Sequence, residues 1–317
     1  MVAEPLYLGS DPEYFVVADE GQTLIPAEYV SPPQDRRAAL PFYYDNVAVE
    51  FEISPTHSLD QIVRRFSEVF SSFTAHVVDG VKLLATAAVD FPLEVLQETK
   101  HGRAFGCAPA MVITGGVSKR YKISLPDNFR KRSTRFHIHI GDRNVMLDAI
   151  PHHIMNADVL AGLFSVLADR SNVDANLCRR KEIGYGVAGE YRIQPHGYEY
   201  RTLPSSMSVS PDLVRASFML VRDAYIAATN GLNFGEHLPM AEVARAINNM
   251  EVTKAQELLA QALAIAKNST AVPNNAQLES SLFITEDAFS QSVQDFVFGS
   301  NEVFDTSKVT PYANMLR

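Results

Sequence analysis

Residues 135–142 read RFHIHIGD, and that alternation restricts the chain more than any other stretch of it. Side chains two residues apart on a β-strand point to the same face. Phe136, Ile138 and Ile140 then form an apolar face that needs a core beneath it. His137 and His139 stand together on the opposite face, about 7 Å apart along the strand. Read alone, the two imidazoles suit three roles: solvent-facing polar groups, metal ligands, or a metal ligand beside a phosphate contact.

The same period recurs elsewhere. DNVAVEFEIS, residues 45–54, reads as one strand with Val47, Val49, Phe51 and Ile53 on one face and Ala48, Glu50, Glu52 and Ser54 on the other. PEYFVVAD (12–19) is a further strand, followed by a turn at EGQ. VKLLATAAVDF (81–91) is another, and APAMVITGG (108–116) is a short apolar segment ending in a turn. GEYRIQPHGYEYRTLPSS (189–206) returns to strands around a turn at Pro195–Gly197. Helical spacing takes over in HSLDQIVRRFSEVFSSFTAHVVDG (57–80), where Ser58 and Gln61 form a capping-box pattern and Gly80 offers a stop. NADVLAGLFSVLADR (156–170) is an apolar helix. From residue 210 four helical segments follow: PDLVRASFMLVRDAYIAAT, MAEVARAINNM, TKAQELLAQALAIAKN and EDAFSQSVQDFVFG. Strands and helices do not alternate regularly, so an antiparallel or mixed sheet is expected rather than a parallel one. The fold class is α+β, with a mixed part over 1–205 and a helical C-terminal portion over 206–317 packed on it.

Composition excludes several classes. At net charge −9 the chain is no general nucleic-acid binder, which needs a basic surface. No apolar run reaches the roughly 18 residues of a membrane span. The stretch MVAEPLYLGSDPEYF lacks the basic start and apolar run of a signal peptide. Two cysteines, Cys107 and Cys178, make no disulfide framework, and a cytoplasmic location is expected. One segment, SKRYKISLPDNFRKRSTR (118–135), is dense in Lys and Arg and is a candidate anion-attracting lid.

GYGVAG (184–189) has the spacing of a dinucleotide fingerprint, but that motif needs a strand before it and a helix after it. Here basic CRRKE precedes and alternating EYRIQ follows, so we expect a flexible loop, and a second lid candidate, rather than a dinucleotide site. No phosphate-loop, zinc-pair or nucleophile-elbow pattern is present. Polar pairs at i, i+2 are what remain: Asp11 and Glu13, Glu50 and Glu52, His137 and His139, Glu190 and Arg192, Glu199 and Arg201. Each alone suits a strand with one wet face. If the segments are neighbours in one sheet, the shared face repels itself unless divalent cations neutralise it. Carboxylates with an occasional imidazole suit Mg²⁺ or Mn²⁺ better than zinc, and adjacent arginines suit phosphate.

GSDPEYFV, DNVAVEFEISP, FGCAP, FHIHIG and YGVAGEYRIQPHGYEYRTLPS occur in this order. Together they resemble the bacteriophage carboxylate–amine ligases of the COOH-NH2 ligase type 2 family, relatives of glutamine synthetase and glutamate–cysteine ligase. The resemblance runs over about residues 5–205. An acidic residue is usual in that family where Ala110 stands, so the chain departs from the pattern there. The resemblance implies a curved, mostly antiparallel sheet forming a glutamine-synthetase-like funnel, with ATP and two or three Mg²⁺ or Mn²⁺ ions. It implies that Asp11 and Glu13 are the first-strand acidic pair and Glu50 a metal ligand with Asp45 nearby. Glu52, His137 and Glu199 complete the implied metal set. It implies that His139 and Arg192 contact the nucleotide and that Arg201, with Arg192, stabilises the transferred phosphoryl group. The implied partners are small-molecule or peptide carboxylates and amines, with no nucleic acid and no membrane. The implied place of action is the host cytoplasm if a phage encodes the chain. Oligomeric state stays open. Two other functions fit the same residues: a guanidino-kinase-like phosphotransferase on this scaffold, and a non-catalytic nucleotide-binding or virion-associated relative.

Overall fold

The computed structural model describes residues 6–18, 23–33, 40–99, 102, 110–121, 123–126 and 128–269. Its strands begin with β1 (Tyr7–Ser10), β2 (Glu13–Ala18), β3 (Thr23–Ile25), β4 (Phe42–Asp45), β5 (Ala48–Phe51) and β6 (Ile53–Thr56). β7 (Lys82–Leu84), β8 (Ala88–Asp90), β9 (Ala110–Thr114) and β10 (Val117–Tyr121) follow. The last are β11 (Lys131–Ser133), β12 (Ile138–Gly141), β13 (Glu190–Gln194) and β14 (Gly197–Tyr200). The α-helices are α1 (Leu59–His76), α2 (Leu93–Glu98), α3 (Ile150–Ala157), α4 (Leu163–Ala168), α5 (Val173–Leu177), α6 (Pro211–Thr229), α7 (Met240–Asn249) and α8 (Val252–Asn268). A π-helical turn, Asp158–Gly162, joins α3 to α4, and a second, Cys178–Ile183, extends α5.

Every strand pairing among the described residues is antiparallel. One sheet runs β10-β9-β13-β14-β12-β1-β6. A second runs β3-β2-β5-β4, with β7 also on β2, and β11 pairs with β8 apart from both. The chain passes from the first sheet to the second between Ser10 and Glu13, and returns between Phe51 and Ile53.

The return divides what the sequence presents as a single strand. Asn46 takes a left-handed conformation (φ 55°) that asparagine tolerates, so Asp45–Ala48 is the closing pair of the β4–β5 hairpin rather than a strand start. At Glu52 the amide donates to Pro41 O instead of to a neighbouring strand (2.8 Å), and β6 then pairs with β1. The apolar face survives: Val47, Val49, Phe51 and Ile53 are all buried. VKLLATAAVDF divides likewise, β7 joining β2 and β8 joining β11.

The remaining elements follow their local chemistry. Ser58 caps α1 through its side chain, which accepts from Gln61 N. The reciprocal half of the capping box is relayed: Thr56 Oγ1 accepts from Ser58 N and donates to Gln61 Oε1 (2.6 Å). Between β13 and β14 the chain must turn beside β12. Gly197 sits at φ 144°, where a Cβ would lie 2.1 Å from Ile140 O, so only glycine fits. EDAFSQSVQDFVFG lies outside the described residues.

Burial shows which sheet face is which. Phe136, Ile138 and Ile140 are fully buried. Ile138 lies opposite Tyr200 and Ile140 opposite Leu8 and Tyr198, so one apolar face crosses β1, β12 and β14. Helices α1 and α6 cover its edge, where the Phe136 ring meets Phe66 and Phe218 edge-on. The buried cluster continues without a break from Leu8 through α3, α4 and α6 to Ala266 in α8. No helix among the described residues is long and apolar enough to cross a membrane.

Candidate active site

The polar face of the first sheet carries the histidines in a transverse row. Cross-strand register puts His139 opposite Glu199, Glu199 opposite Arg192, and Gly9 opposite His139. His137, Glu190 and Arg201 flank this row. Asp11, just beyond β1, places Oδ1 3.0 Å from His137 Nδ1 and 3.2 Å from His139 Nε2. Arg201, whose side chain is wholly buried, donates from Nη1 to Glu199 Oε2 (2.6 Å) and from Nε to Glu190 Oε1 (3.2 Å). Arg192 Nη1 lies 3.7 Å from Glu199 Oε2, and Gln194 donates to Glu199 Oε1. Part of this face is dry: His137, Glu190, Glu199 and Arg201 are each at most 3% exposed, whereas the Asp11, His139 and Arg192 side chains are about a quarter exposed.

The second group lies on the other sheet. Glu13 stands directly opposite Glu50 in the β2–β5 pair, an arrangement of like charges that opposes sheet formation. Asp45 approaches both from the hairpin turn. Tyr43, opposite Glu50 on β4, donates to Glu50 Oε1 (2.5 Å). Arg135 Nε is 3.3 Å from Glu13 Oε2, and its guanidinium lies 4.5 Å above the Tyr185 ring. A small cleft lined by Glu13, Asp45, Arg135 and Tyr185 borders this group.

The two groups differ in charge state. Burial would raise the Asp11 carboxyl, but His139 and His137 hold it well below the usual range. Glu199 is also lowered: burial opposes ionisation, and the charge of Arg201 beside it helps to outweigh that. Burial, with Arg201 beside it, pushes His137 down to about 3, so its imidazole is neutral. His139 is raised, since Asp11 and Glu199 together overcome its burial. In the second group burial and the neighbouring acids push Glu13 well up, and burial plus Asp11 takes Glu50 to about 8. Asp11 acts on both groups, so they are electrostatically continuous.

The donor chemistry fits divalent cations. Asp11, His139 and Glu199 offer ligand atoms within 4.8 Å of one another, and so do Glu13, Asp45 and Glu50. His137 Nδ1 faces Asp11 Oδ1 and Arg201 Nη1, and its Nε2 points away from both. That atom is buried and makes no hydrogen bond among the described residues. Oxygen-rich sets with one imidazole each at most match Mg²⁺ or Mn²⁺.

The structure redistributes the sequence pairs. Asp11 and Glu13 do not share a strand; they serve different groups because the chain changes sheets between them. His139, expected at a phosphate, sits within the three-ligand set, with His137 behind Asp11. Glu52 is exposed and stands outside both sets. GYGVAG is no flexible lid, and the residues around Gly186 are buried. Gly186 N donates to Glu190 Oε2, Ala188 N to Asn248 Oδ1, and Arg180 Nε to Gly186 O. A helical turn precedes it and a strand follows, the reverse of the dinucleotide order. The basic segment is not a loose lid along its second half either. Arg132 is buried and donates to Gly102 O and Phe129 O, Lys131 pairs with Glu182, and Arg130 with Asp90. FGCAP lies outside the described residues, and Ala110 is the buried first residue of β9.

Sequence reasoning missed Tyr43, Arg135, Gln194 and His196, whose ring stacks on His139 at 5.4 Å and 18°. Gln194 had a signal, since it continues the Glu190–Arg192 alternation. Arg135 had the same signal, since it continues the His137–His139 alternation, but its partner Glu13 sits on another sheet.

Residues 131–294 match the family described as phage phiEco32-like COOH.NH2 ligase-type 2. The match spans more than half of the chain. The chain belongs to this family. For this COOH.NH2 ligase family member the matched segment contains His137, His139, Glu190, Arg192, Glu199 and Arg201, and it continues into the C-terminal helices. The resemblance noted in the sequence began earlier and stopped near 205, so Asp11, Glu13, Asp45 and Glu50 lie outside the matched segment. No curated protein matches the sequence. Among solved structures the chain is similar to a bifunctional glutathione synthetase from Pasteurella multocida, at 9% identity and TM-score 0.37, over 84% of this chain and 50% of that one. The chain thus spans about half the length of that structure.

Proposed function

We propose that this protein joins a carboxylate to an amine in an ATP- and Mg²⁺- (or Mn²⁺-) dependent reaction that passes through an acyl phosphate. The observation that carries the reading is Asp11: it contacts both histidines in one partly buried, metal-capable group beside the wholly buried Arg201, and, on top of burial, its charge raises Glu50 in a second such group. Such a density of anions suits a site where polyphosphate and a second carboxylate must meet.

A carboxylate does not acylate an amine at neutral pH, because oxide would have to leave. Attack of the carboxylate oxygen on the γ-phosphorus breaks the bond to ADP and makes phosphate the leaving group. Attack of the amine nitrogen on the acyl carbon then forms the amide, with release of phosphate and a proton. Divalent cations, when bound, supply the positive charge that lets ATP and the acceptor carboxylate approach each other. Asp11, His139 and Glu199 would hold one, and Glu13, Asp45 and Glu50 another, with His137 Nε2 as a further donor. Arg201, fixed by Glu199 and Glu190, presents its guanidinium to the charge that develops on the transferred group. Arg192, on the same face, is a second phosphate contact. The buried walls exclude water that would hydrolyse the acyl phosphate.

In this reading the curved first sheet is the wall of a glutamine-synthetase-like funnel. Residues 1–205 form the ligase core and the C-terminal helices buttress it. The substrates are small-molecule or peptide carboxylates and amines, and the reaction takes place in the cytoplasm, the host's if a phage encodes the chain.

The test is ADP release with candidate acceptor pairs, in wild type and Arg201→Lys. Wild type should sustain ADP release only with both acceptor and amine present, with one amide formed per ADP. Arg201→Lys keeps charge but loses the planar fork. It should bind Mg–ATP normally and lose turnover by about 10²-fold, or about 2.7 kcal/mol. Sustained ADP release without amide product, or full turnover in Arg201→Lys, sinks the assignment.

A further inference from the structure

Behind Arg201 lies a closed circuit of hydrogen bonds that reaches the C-terminal helices. Glu190 divides its carboxylate. Oε1 accepts from Arg201 Nε (3.2 Å), and Oε2 accepts from the amide of Gly186 (2.6 Å). The backbone repeats the link, since Arg201 N donates to Glu190 O (3.1 Å). Glu190 is 1% exposed, so both of its oxygens work in a dry setting where such bonds are strong.

Arg179 closes the circuit from the other side. Its guanidinium is fully buried and binds three successive carbonyls, Arg201 O (3.2 Å), Thr202 O (2.8 Å) and Leu203 O (3.0 Å). Three consecutive carbonyls on one guanidinium fix the course of the chain as it leaves β14. Gly186 lies flat against the same guanidinium. A Cβ there would come within 2.1 Å of Arg179 Cζ, and its φ is 64°. Glycine at 186 thus serves the approach of Arg179, not of a nucleotide.

Arg180 carries the connection outward. It donates from Nε to Gly186 O (3.1 Å) and from Nη1 to Ile247 O (2.8 Å) at the end of α7. Asn248 Oδ1 accepts from Ala188 N (2.8 Å). The 184–189 loop is therefore a strut between α7 and the buried arginine that follows β14.

We propose that Glu190 and Arg179 are positioning residues for Arg201, Glu190 aiming its guanidinium and Arg179 fixing its backbone, with the Gly186 loop tying both to α7. The proposal rests on the ligase reading for its kinetic consequence but not for its geometry. A fork held at Nε by Glu190 and at Nη1 by Glu199 has one orientation. Released from Glu190, it turns about its last bonds and meets the transferred group less well. Misplacement by about 1 Å is enough to cost on the order of 10²-fold in rate.

Two readouts test this on the full chain. Glu190→Gln preserves size and removes charge. In it kcat should fall about 10²-fold with KM for ATP unchanged, the signature of an interaction made in the transition state. The second readout is the ¹⁵N resonance of Arg201 Nε, identified by its loss in Arg201→Lys. Its proton should be protected from solvent in wild type, and in Glu190→Gln it should shift and exchange rapidly. Arg179→Met should act in the same direction. Arg179→Lys should recover part of the loss, because an ammonium reaches the same carbonyls without spanning all three. Thermal unfolding of each variant reports the folded fraction. Wild-type kcat with an unmoved Nε resonance in Glu190→Gln, or a fall in rate that only tracks loss of folded protein, overturns the proposal. If wild type makes no amide with any acceptor pair, the ligase reading falls, and the resonance alone decides the positioning.

Discussion

The two acidic groups are built from similar residues and behave in opposite ways. Asp11 and Glu199 stand among His137, His139 and Arg201, and this company keeps both carboxylates ionised despite burial. Glu13, Asp45 and Glu50 have Arg135 and Tyr43 instead, and burial with mutual repulsion drives Glu13 and Glu50 towards protonation. The first group is charged before any cation arrives. The second must exchange protons for a cation, so its affinity and its stability both depend on pH. Their difference shows that the count of carboxylates in a site says little about its charge; the cations of the protein's own side chains decide it.

Asp11 is where that contrast breaks most easily, because it belongs to one group and repels the other. Asp11→Asn removes the shared anion of His137 and His139. Turnover should fall by on the order of 10²–10³-fold, the range for losing one preorganised electrostatic group. At the same time Glu50 should titrate closer to its ordinary value, which ¹³C NMR of its carboxyl reads. An unmoved Glu50 resonance would mean that the groups are independent.

Glu50 sharpens the contrast through stability. An unfolded glutamate titrates near 4.5 and folded Glu50 near about 8, so between these values the folded state holds a proton that the unfolded chain has released. The stability of the metal-free protein should therefore fall as pH rises through that window. Asp11 acts oppositely: its contribution is present above the ordinary aspartate range and is lost as pH falls towards its depressed value. Glu50→Gln should flatten the decline towards pH 8 and raise the metal-free melting temperature there by about 2–4 °C, the equivalent of about 1 kcal/mol. The same change should weaken Mg²⁺ binding in calorimetry. A decline that survives Glu50→Gln would place its origin elsewhere.

His196→Ala is the smallest perturbation, since it removes only the ring stacked on His139. The expected loss is about 0.5–1.5 kcal/mol in stability, with a modest displacement of the His139 titration. The Glu13–Glu50 group should not respond, and a changed Glu50 titration would show coupling that Asp11 alone does not explain.

The sequence by itself determined several strands and much of the helical scaffold, though not where two of those strands divide between sheets. Alternation at 136–140 demanded a buried face, and Ile138 and Ile140 are fully buried; Ser58 announced the start of α1 and supplies its cap. It also displayed the histidines, Glu199 and Arg201 as residues of one polar face, because period-two spacing on short strands is a local property. What tertiary structure decided was company. Asp11 and Glu13 are two residues apart yet belong to opposite groups, and Glu52 stands exposed outside both sets of three, because the chain changes sheets at each place. Glu50 acquires Glu13, Asp45 and Tyr43 as neighbours through register and a hairpin turn. Gly186 lies in a stretch that reads as a flexible glycine loop, and only packing against Arg179 turns it into a strut. Periodicity tells a side chain which way to face, while ionisation, metal capacity and rigidity depend on residues distant in sequence that meet only when the sheets close together.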